Sequence, residues 1–196
     1  SYGSLPQYSA TPEKPGNAQY SYAFARWVDE NGQTVDLANI DKNIILTAEF
    51  AETLNKYKVT FKNGDEVLKE AQVEYGTTPT APETNPTKAA DAQYTYTFKG
   101  WDKELAAVTG EVVYNAEFTG TLNTYKVTFK NGDEVLKEEQ VEYGTVPTAP
   151  EMNPTKAADA QYTYTFKGWD KELAAVTGEV VYNAEFTGTL NTYKVT

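Results

Sequence analysis

The sequence predicts a mostly β protein made of small modules in tandem. Each is a four-stranded sheet with a short or reduced helix, and the array is expected to form an extended rod. Three observations carry this. A phrase, QYTYTFKGW, runs from Gln93 to Trp101, returns unchanged from Gln161 to Trp169, and has a diverged copy, QYSYAFARW, from Gln19 to Trp27. Self-similarity at a fixed period is the signature of a repeat architecture. The apolar residues lean on strand formers, with 15 Tyr, 8 Phe and 3 Trp among 196 residues and plentiful Thr and Val. Within the phrase Tyr94, Tyr96 and Phe98 alternate with Thr95 and Thr97, the period of a strand with one covered face.

Residues 1–56 read as an incomplete first module that lacks the opening hairpin of the later ones. From Trp27 to Phe50 the chain takes 23 residues, against 17 from Trp101 to Phe118. The surplus is assigned to a turn at Asn31-Gly32 and a short helical stretch near Val35–Ala38. Ile44, Leu46, Ala48 and Phe50 alternate as the last strand of this module.

The second module spans 57–124. YKVTFK opens it, with Tyr57, Val59 and Phe61 on the inner face and Lys58, Thr60 and Lys62 on the solvent face. Asn63-Gly64-Asp65 is a hairpin turn, because its central positions tolerate positive φ. The returning strand is Glu66–Tyr75. GTTPTAPETNPTK, with prolines at 79, 82 and 86, is an extended surface crossing, since Pro offers no backbone donor to a central strand. Residues 88–92 are a helical turn or plain loop. Gln93–Lys99 is the third strand. Residues 102–110 allow one helical turn at most, capped by Asp102 and followed by Gly110. Glu111–Thr119 is the fourth strand, with Val112, Tyr114, Ala116 and Phe118 facing inward, and Thr119 to Thr124 is a short linker that favours a semi-rigid connection.

The third module, 125–192, repeats the second with a period of 68 residues and differs at three positions: Ala71 becomes Glu139, Thr78 becomes Val146 and Thr84 becomes Met152. Near-identity of this kind suggests that copy number matters more than specialised modules. Residues 193–196 repeat the start of the first strand, as a truncated fourth module. Tyr193, Lys194, Val195 and Thr196 are therefore a candidate for strand exchange between chains by β-augmentation. Beginning and ending in mid-module, the chain reads as a piece of a longer protein.

The net charge is −11, shared as −3 over 1–56, −4 over 57–124 and −5 over 125–192, with Lys194 adding one positive charge. An evenly acidic surface repels phosphate backbones and anionic head groups, so no nucleic acid partner and no membrane insertion are expected. No window is long and apolar enough to span a bilayer. With no Cys and no His, disulfides, thiolate metal sites and Ser–His or Cys–His catalysis are excluded.

The remaining chemistry is weak. Asp65–Glu66 and Asp102/Glu104 are carboxylate pairs, yet they stand where turns and helix starts place solvated acids. Asp29-Glu30-Asn31-Gly32 offers oxygen ligands but lacks the Ca²⁺-loop pattern, so no metal and no cofactor are assigned. Lys58 and Lys62 are the donors for a Lys–Asn or Lys–Asp crosslink, which needs burial they do not have. Trp101 and the tyrosines could stack on sugar rings, but their alternation favours a packing role. The positions kept as possible ligand contacts are Tyr75 and Tyr94 and their copies Tyr143 and Tyr162.

One module reads Tyr57, Val59, Phe61, Asn63-Gly64; Gln72, Tyr75-Gly76; Pro82 to Pro86; Tyr96, Phe98, Gly100-Trp101; Val108-Thr109; and Ala116, Phe118. This resembles the internalin B-repeat, or Listeria–Bacteroides repeat, family over nearly the whole of each module. The second and third modules depart from it after the Trp, where the family has a longer segment. The resemblance implies a β-grasp-like fold, a curved four-stranded sheet on a short helix, in tandem on secreted or wall-attached bacterial proteins. It carries over no catalytic residue. The expected function is thus a non-catalytic spacer, stalk or adhesin repeat of an extracellular bacterial protein. The alternative is a carbohydrate- or protein-binding module using exposed Tyr and Trp. An unknown protein or glycan is the only partner class left open.

Overall fold

The computed structural model describes residues 10–194. Two compact units divide the chain. One holds the residues up to Pro86 together with Lys99–Glu117, and the other holds Thr87–Phe98 together with the residues from Phe118 onward. Ten strands follow in order: β1 Tyr20–Val28, β2 Thr47–Leu54, β3 Lys56–Asn63, β4 Glu66–Glu74, β5 Tyr94–Trp101, β6 Val112–Leu122, β7 Thr124–Asn131, β8 Glu134–Glu142, β9 Tyr162–Trp169 and β10 Val180–Leu190. Among the described residues the helical structure is one 3-10 turn, Leu37–Asn39, whose start is capped by Asp36. It falls two residues later than the helical stretch expected near Val35–Ala38.

β1 and β2 form an antiparallel two-stranded sheet. The other strands form two four-stranded mixed sheets, ordered β4-β3-β6-β5 and β8-β7-β10-β9. In each the hairpin closes at an Asn-Gly turn, with Gly64 at φ +60° and Gly132 at φ +61°. The first and last strands of each repeat then lie side by side and parallel: Val59 registers with Val112, and Val127 with Val180. This second–first–fourth–third order with a central parallel pair is the sheet of a β-grasp-like module.

The partners of β10 change along its length. It pairs with β7 over Val180–Asn183 and with β9 over Ala184–Leu190. The second half of β10 and the strand β9 are therefore a two-stranded ribbon that runs on from the four-stranded part. β1 and β2 make the same ribbon, Tyr20 opposite Leu54 as Tyr162 is opposite Leu190.

Each core is small and aromatic. Val127, Phe129, Val141, Val176 and Tyr182 are buried, with Tyr125, Ala149, Trp169, Leu173 and Val180 against them. The ring of Phe129 stacks on Tyr182 at 5.0 Å and meets the edge of Trp169 at 4.8 Å. Val59, Phe61, Val108 and Tyr114 repeat the arrangement around Trp101.

The helix expected to be short or reduced is absent from 102–110, which has no regular structure. Asp102 does not cap a turn. Its carboxylate accepts from the backbone N–H of Asn115 at 2.9 Å and from the Asn115 side-chain amide at 2.8 Å, clipping the segment to β6. Gly76 donates to the Val108 carbonyl at 2.8 Å and Val108 donates to the Thr77 carbonyl at 3.0 Å. The segment is thus pinned at both ends, and Leu105 and Val108 fill the space a helix would cover.

Three further expectations change. Thr60 is buried rather than solvated, because β3 is central and Glu70 and Val113 flank Thr60 in register. The proline crossing is not all surface: Pro79, Pro86, Pro147 and Pro154 are buried. Lys69 on β4 holds it by donating to the Thr80 carbonyl at 2.8 Å and hydroxyl at 2.9 Å. The linker from Thr119 to Thr124 is strand except for Asn123, the one residue between β6 and β7.

Candidate functional site

Tyr75, Tyr94, Tyr143 and Tyr162 are all half-buried. Tyr94 stands 6.1 Å from Tyr96 with the rings tilted 42°, and Tyr162 stands 6.3 Å from Tyr164 at 38°. A flat, coplanar platform for a sugar is not formed by these pairs. Both rings close over a glycine on the neighbouring strand: a Cβ on Gly120 would lie 3.2 Å from Tyr94 Cδ1 and 3.3 Å from Tyr96 Cε1. A lysine covers the second tyrosine of each pair, with Lys88 Nζ 3.8 Å from the Tyr96 ring centroid and Lys156 Nζ 4.0 Å from that of Tyr164. Trp101 and Trp169 belong to the cores.

The carboxylates are likewise engaged or solvated. Asp65, Glu66 and Glu104 are exposed, and Asp102 is tied to Asn115. Asp29 accepts from the N–H groups of Asn31 at 2.9 Å and Gln33 at 2.8 Å, shaping its own turn. Among the described residues no group of three acidic residues is placed to hold a metal ion. Lys58 pairs with Glu70 at 2.8 Å on the surface.

Gln93, the neighbour of Tyr94, and Tyr143 nevertheless meet, through their backbones, at Asn123. Asn123 N–H donates to the Gln93 carbonyl at 2.9 Å, and the Asn123 carbonyl accepts from Tyr143 N–H at 2.9 Å. Its side-chain amide donates to the carbonyls of Asp91 at 2.8 Å and Ala92 at 3.2 Å, and its Oδ1 accepts from Thr95 Oγ1 at 2.7 Å. Two residues on, the Tyr125 hydroxyl donates to the Ala92 carbonyl at 2.6 Å. Every polar group of Asn123 is used, so this joint between β6 and β7 is a closed set of bonds.

The same latch recurs. Asn55 donates to the carbonyls of Asn17 and Ala18 at 2.8 and 3.1 Å, and Tyr57 to Ala18 at 2.7 Å. Asn191 donates to Asp159 at 2.8 Å, and Tyr193 to Ala160 at 2.6 Å. Tyr193 thus bonds within its own chain; Val195 and Thr196, named with it for strand exchange, lie outside the described residues. The receiving loop is shaped by an acid or amide: Asp91 Oδ1 accepts from Gln93 N–H at 2.8 Å and Tyr94 N–H at 2.7 Å, and Oδ2 from the Tyr96 hydroxyl at 2.9 Å. The N–H of Tyr94 first, then the Tyr96 hydroxyl and the N–H of Gln93, hold the Asp91 carboxyl below its ordinary range. The same bond to Asp91 raises the Tyr96 phenol.

The model of the Listeria–Bacteroides repeat domain matches residues 57–124 and 125–193. The chain belongs to the Listeria–Bacteroides repeat family. No curated protein matches it in sequence. Among solved structures it is similar to the Streptococcal High Identity Repeats in Tandem (SHIRT) domains 3-4 from a cell surface protein, at 20% identity and a TM-score of 0.33, over 69% of this chain and 99% of that one. At that score the likeness decides nothing further about fold or task.

In these Listeria–Bacteroides repeats the latch is what sequence reasoning missed. The signal was present as Leu-Asn-x-Tyr, which recurs at Leu54–Tyr57, Leu122–Tyr125 and Leu190–Tyr193 even where the first copy has otherwise diverged. The three differences between the two full repeats lie elsewhere, along the seam between β8 and the proline crossing. Glu139 gains an ion pair with Lys137 at 3.0 Å, and Val146 and Met152 are exposed. A groove of about 970 Å³ there is lined by Leu136, Lys137, Pro150 and Met152. Lys137, its one cation, is already bonded to Thr148 at 2.8 Å.

Proposed function

We propose that the chain is a non-catalytic spacer, a stalk or adhesin repeat region that projects or presents other domains of an extracellular bacterial surface or secreted protein. One observation carries this reading. Because β7 and β10 are adjacent and parallel, the polypeptide comes in at one pole of the repeat and leaves at the other. Following β7 from Thr124 to Val127 and then β10 from Val180 to Leu190 gives a path of roughly 45 Å at the usual strand rise. An antiparallel pair of end strands would return the chain to where it began. A spacer needs its ends far apart, and this topology separates them with few residues.

Family membership, the evenly acidic charge and the near-identical copies support the same reading. The test is to place the chain between a wall anchor and an epitope on a bacterial surface, with one, two or three copies of residues 125–192. Antibody access to the epitope should rise stepwise with copy number. A disordered Gly/Ser linker of equal residue count should give less access per residue. Equal access from the linker, or no dependence on copy number, would refute the spacer role.

A further inference from the structure

We infer that the ribbon of each repeat is held folded by the repeat that follows it, through a receptor surface of main-chain carbonyls that takes the Asn-x-Tyr segment straddling the junction of the two. The surface is the loop at the ribbon's end, and its partner is the segment leading into the first strand of another copy. This is independent of the spacer reading, which concerns where the ends lie.

The ribbon needs outside support. Two-stranded antiparallel pairs are marginal in water, and stability ordinarily takes a third strand or a covering layer. In the last repeat β7 pairs with β10 only as far as Asn183, so Ala184–Leu190 and Tyr162–Trp169 run on as a pair. Among the described residues β1 and β2 are a two-stranded sheet. What meets the end of each ribbon is the Asn that follows its second strand and the Tyr of the next first strand. Asn55 and Tyr57 bond the loop before β1, and Asn123 and Tyr125 bond the loop before β5.

The bonding has a direction. The Tyr hydroxyl comes from the later repeat, the Asn amide from the last residues of the earlier one, and the acceptors are backbone carbonyls of the earlier one. Asp91 fixes those acceptors by drawing the N–H groups of Gln93 and Tyr94 onto its carboxylate, which leaves the carbonyls of 91–93 for the incoming strand. The acceptors are main-chain atoms, so only the donors carry sequence information. The Tyr hydroxyl thus reaches from the C-terminal neighbour to the N-terminal one.

The experiment is amide hydrogen exchange on the whole chain, comparing wild type with Tyr125→Phe and Asn123→Ala. Tyr125→Phe removes one hydroxyl and keeps the ring. It should speed exchange of Tyr94–Phe98 and Phe118–Leu122 by roughly 3- to 10-fold, the range of one net hydrogen bond. Asn123→Ala should speed the same amides by more. In both variants Tyr162–Phe166 and Phe186–Leu190, the ribbon of the repeat 125–192, should keep their rates. Unchanged exchange in the preceding ribbon would overturn the inference, and so would equal acceleration in both ribbons. If Asn123→Ala accelerates every amide, Tyr125→Phe alone decides by the same criteria.

Discussion

Phe129→Ala gives the sharpest test of how each repeat is held together. Phe129 is fully buried, its ring stacked on Tyr182 at 5.0 Å and edge-on to Trp169 at 4.8 Å. Truncating a buried Phe to Ala costs about 3–5 kcal/mol, of which each aromatic pair accounts for roughly 0.5–1.5 kcal/mol. A repeat of 68 residues has about 3–10 kcal/mol of stability in total. The substitution therefore removes a large share of one core while Phe61, in the same setting beside Trp101, is untouched. Urea unfolding followed by fluorine NMR of fluorotryptophan-labelled chain can assign Trp101 and Trp169 separate transitions. At a slope of about 1–2 kcal/mol per molar, the Trp169 midpoint should fall by about 1.5–5 M. Trp101 should keep its own midpoint. A common shift of both signals, or a Trp169 shift under about 0.5 M, would refute the picture of two cores of equal build.

Asp170 gives a pH prediction. Partial burial raises its carboxyl, but the Asn183 side chain and backbone amides outweigh that and hold it below the ordinary range. A depressed folded value means that the clip's stabilisation is complete above the unfolded value of about 4 and fades as pH falls through the folded one. Melting temperature should be level from about pH 5 to 8 and drop below about pH 4, less steeply in Asp170→Ala; equal slopes would count against the clip. Gly188→Val should cost about 1–2 kcal/mol in urea unfolding, because a Cβ there already lies 3.2 Å from Tyr162 Cδ1 and 3.3 Å from Tyr164 Cε1. No loss would mean that the rings move aside freely.

The alternation of Tyr57, Val59 and Phe61, the Asn-Gly turns and the inward Val112, Tyr114, Ala116 and Phe118 all follow from period and turn chemistry, so these strands were legible. The fate of 102–110 was not. Asp102 before Lys-Glu-Leu-Ala-Ala looks like a helix start, and the long-range bonds to Asn115, Gly76 and Thr77 override that local preference. Thr60 was misplaced because alternation distinguishes faces but not central strands from edges. Tyr94 read as an edge residue open to a ligand; it is half-buried, with its ring against Gly120 on the next strand, a pairing that spacing does not reveal. The joint was visible as a recurring Leu-Asn-x-Tyr but silent about its partners, which are backbone carbonyls and carry no residue identity.

Tension applied along the chain would act on the parallel pair β7 and β10 in a particular way. Pulling Thr124 and Leu190 apart drives the two strands past one another lengthwise, so the bonds between Val127–Lys130 and Val180–Asn183 bear the load together. A hairpin pulled from its open end gives way one bond at a time. Shear across the parallel pair instead makes the repeat fail as a unit, and resistance to rupture then depends on the buried strip beneath those few residues more than on the number of repeats in line.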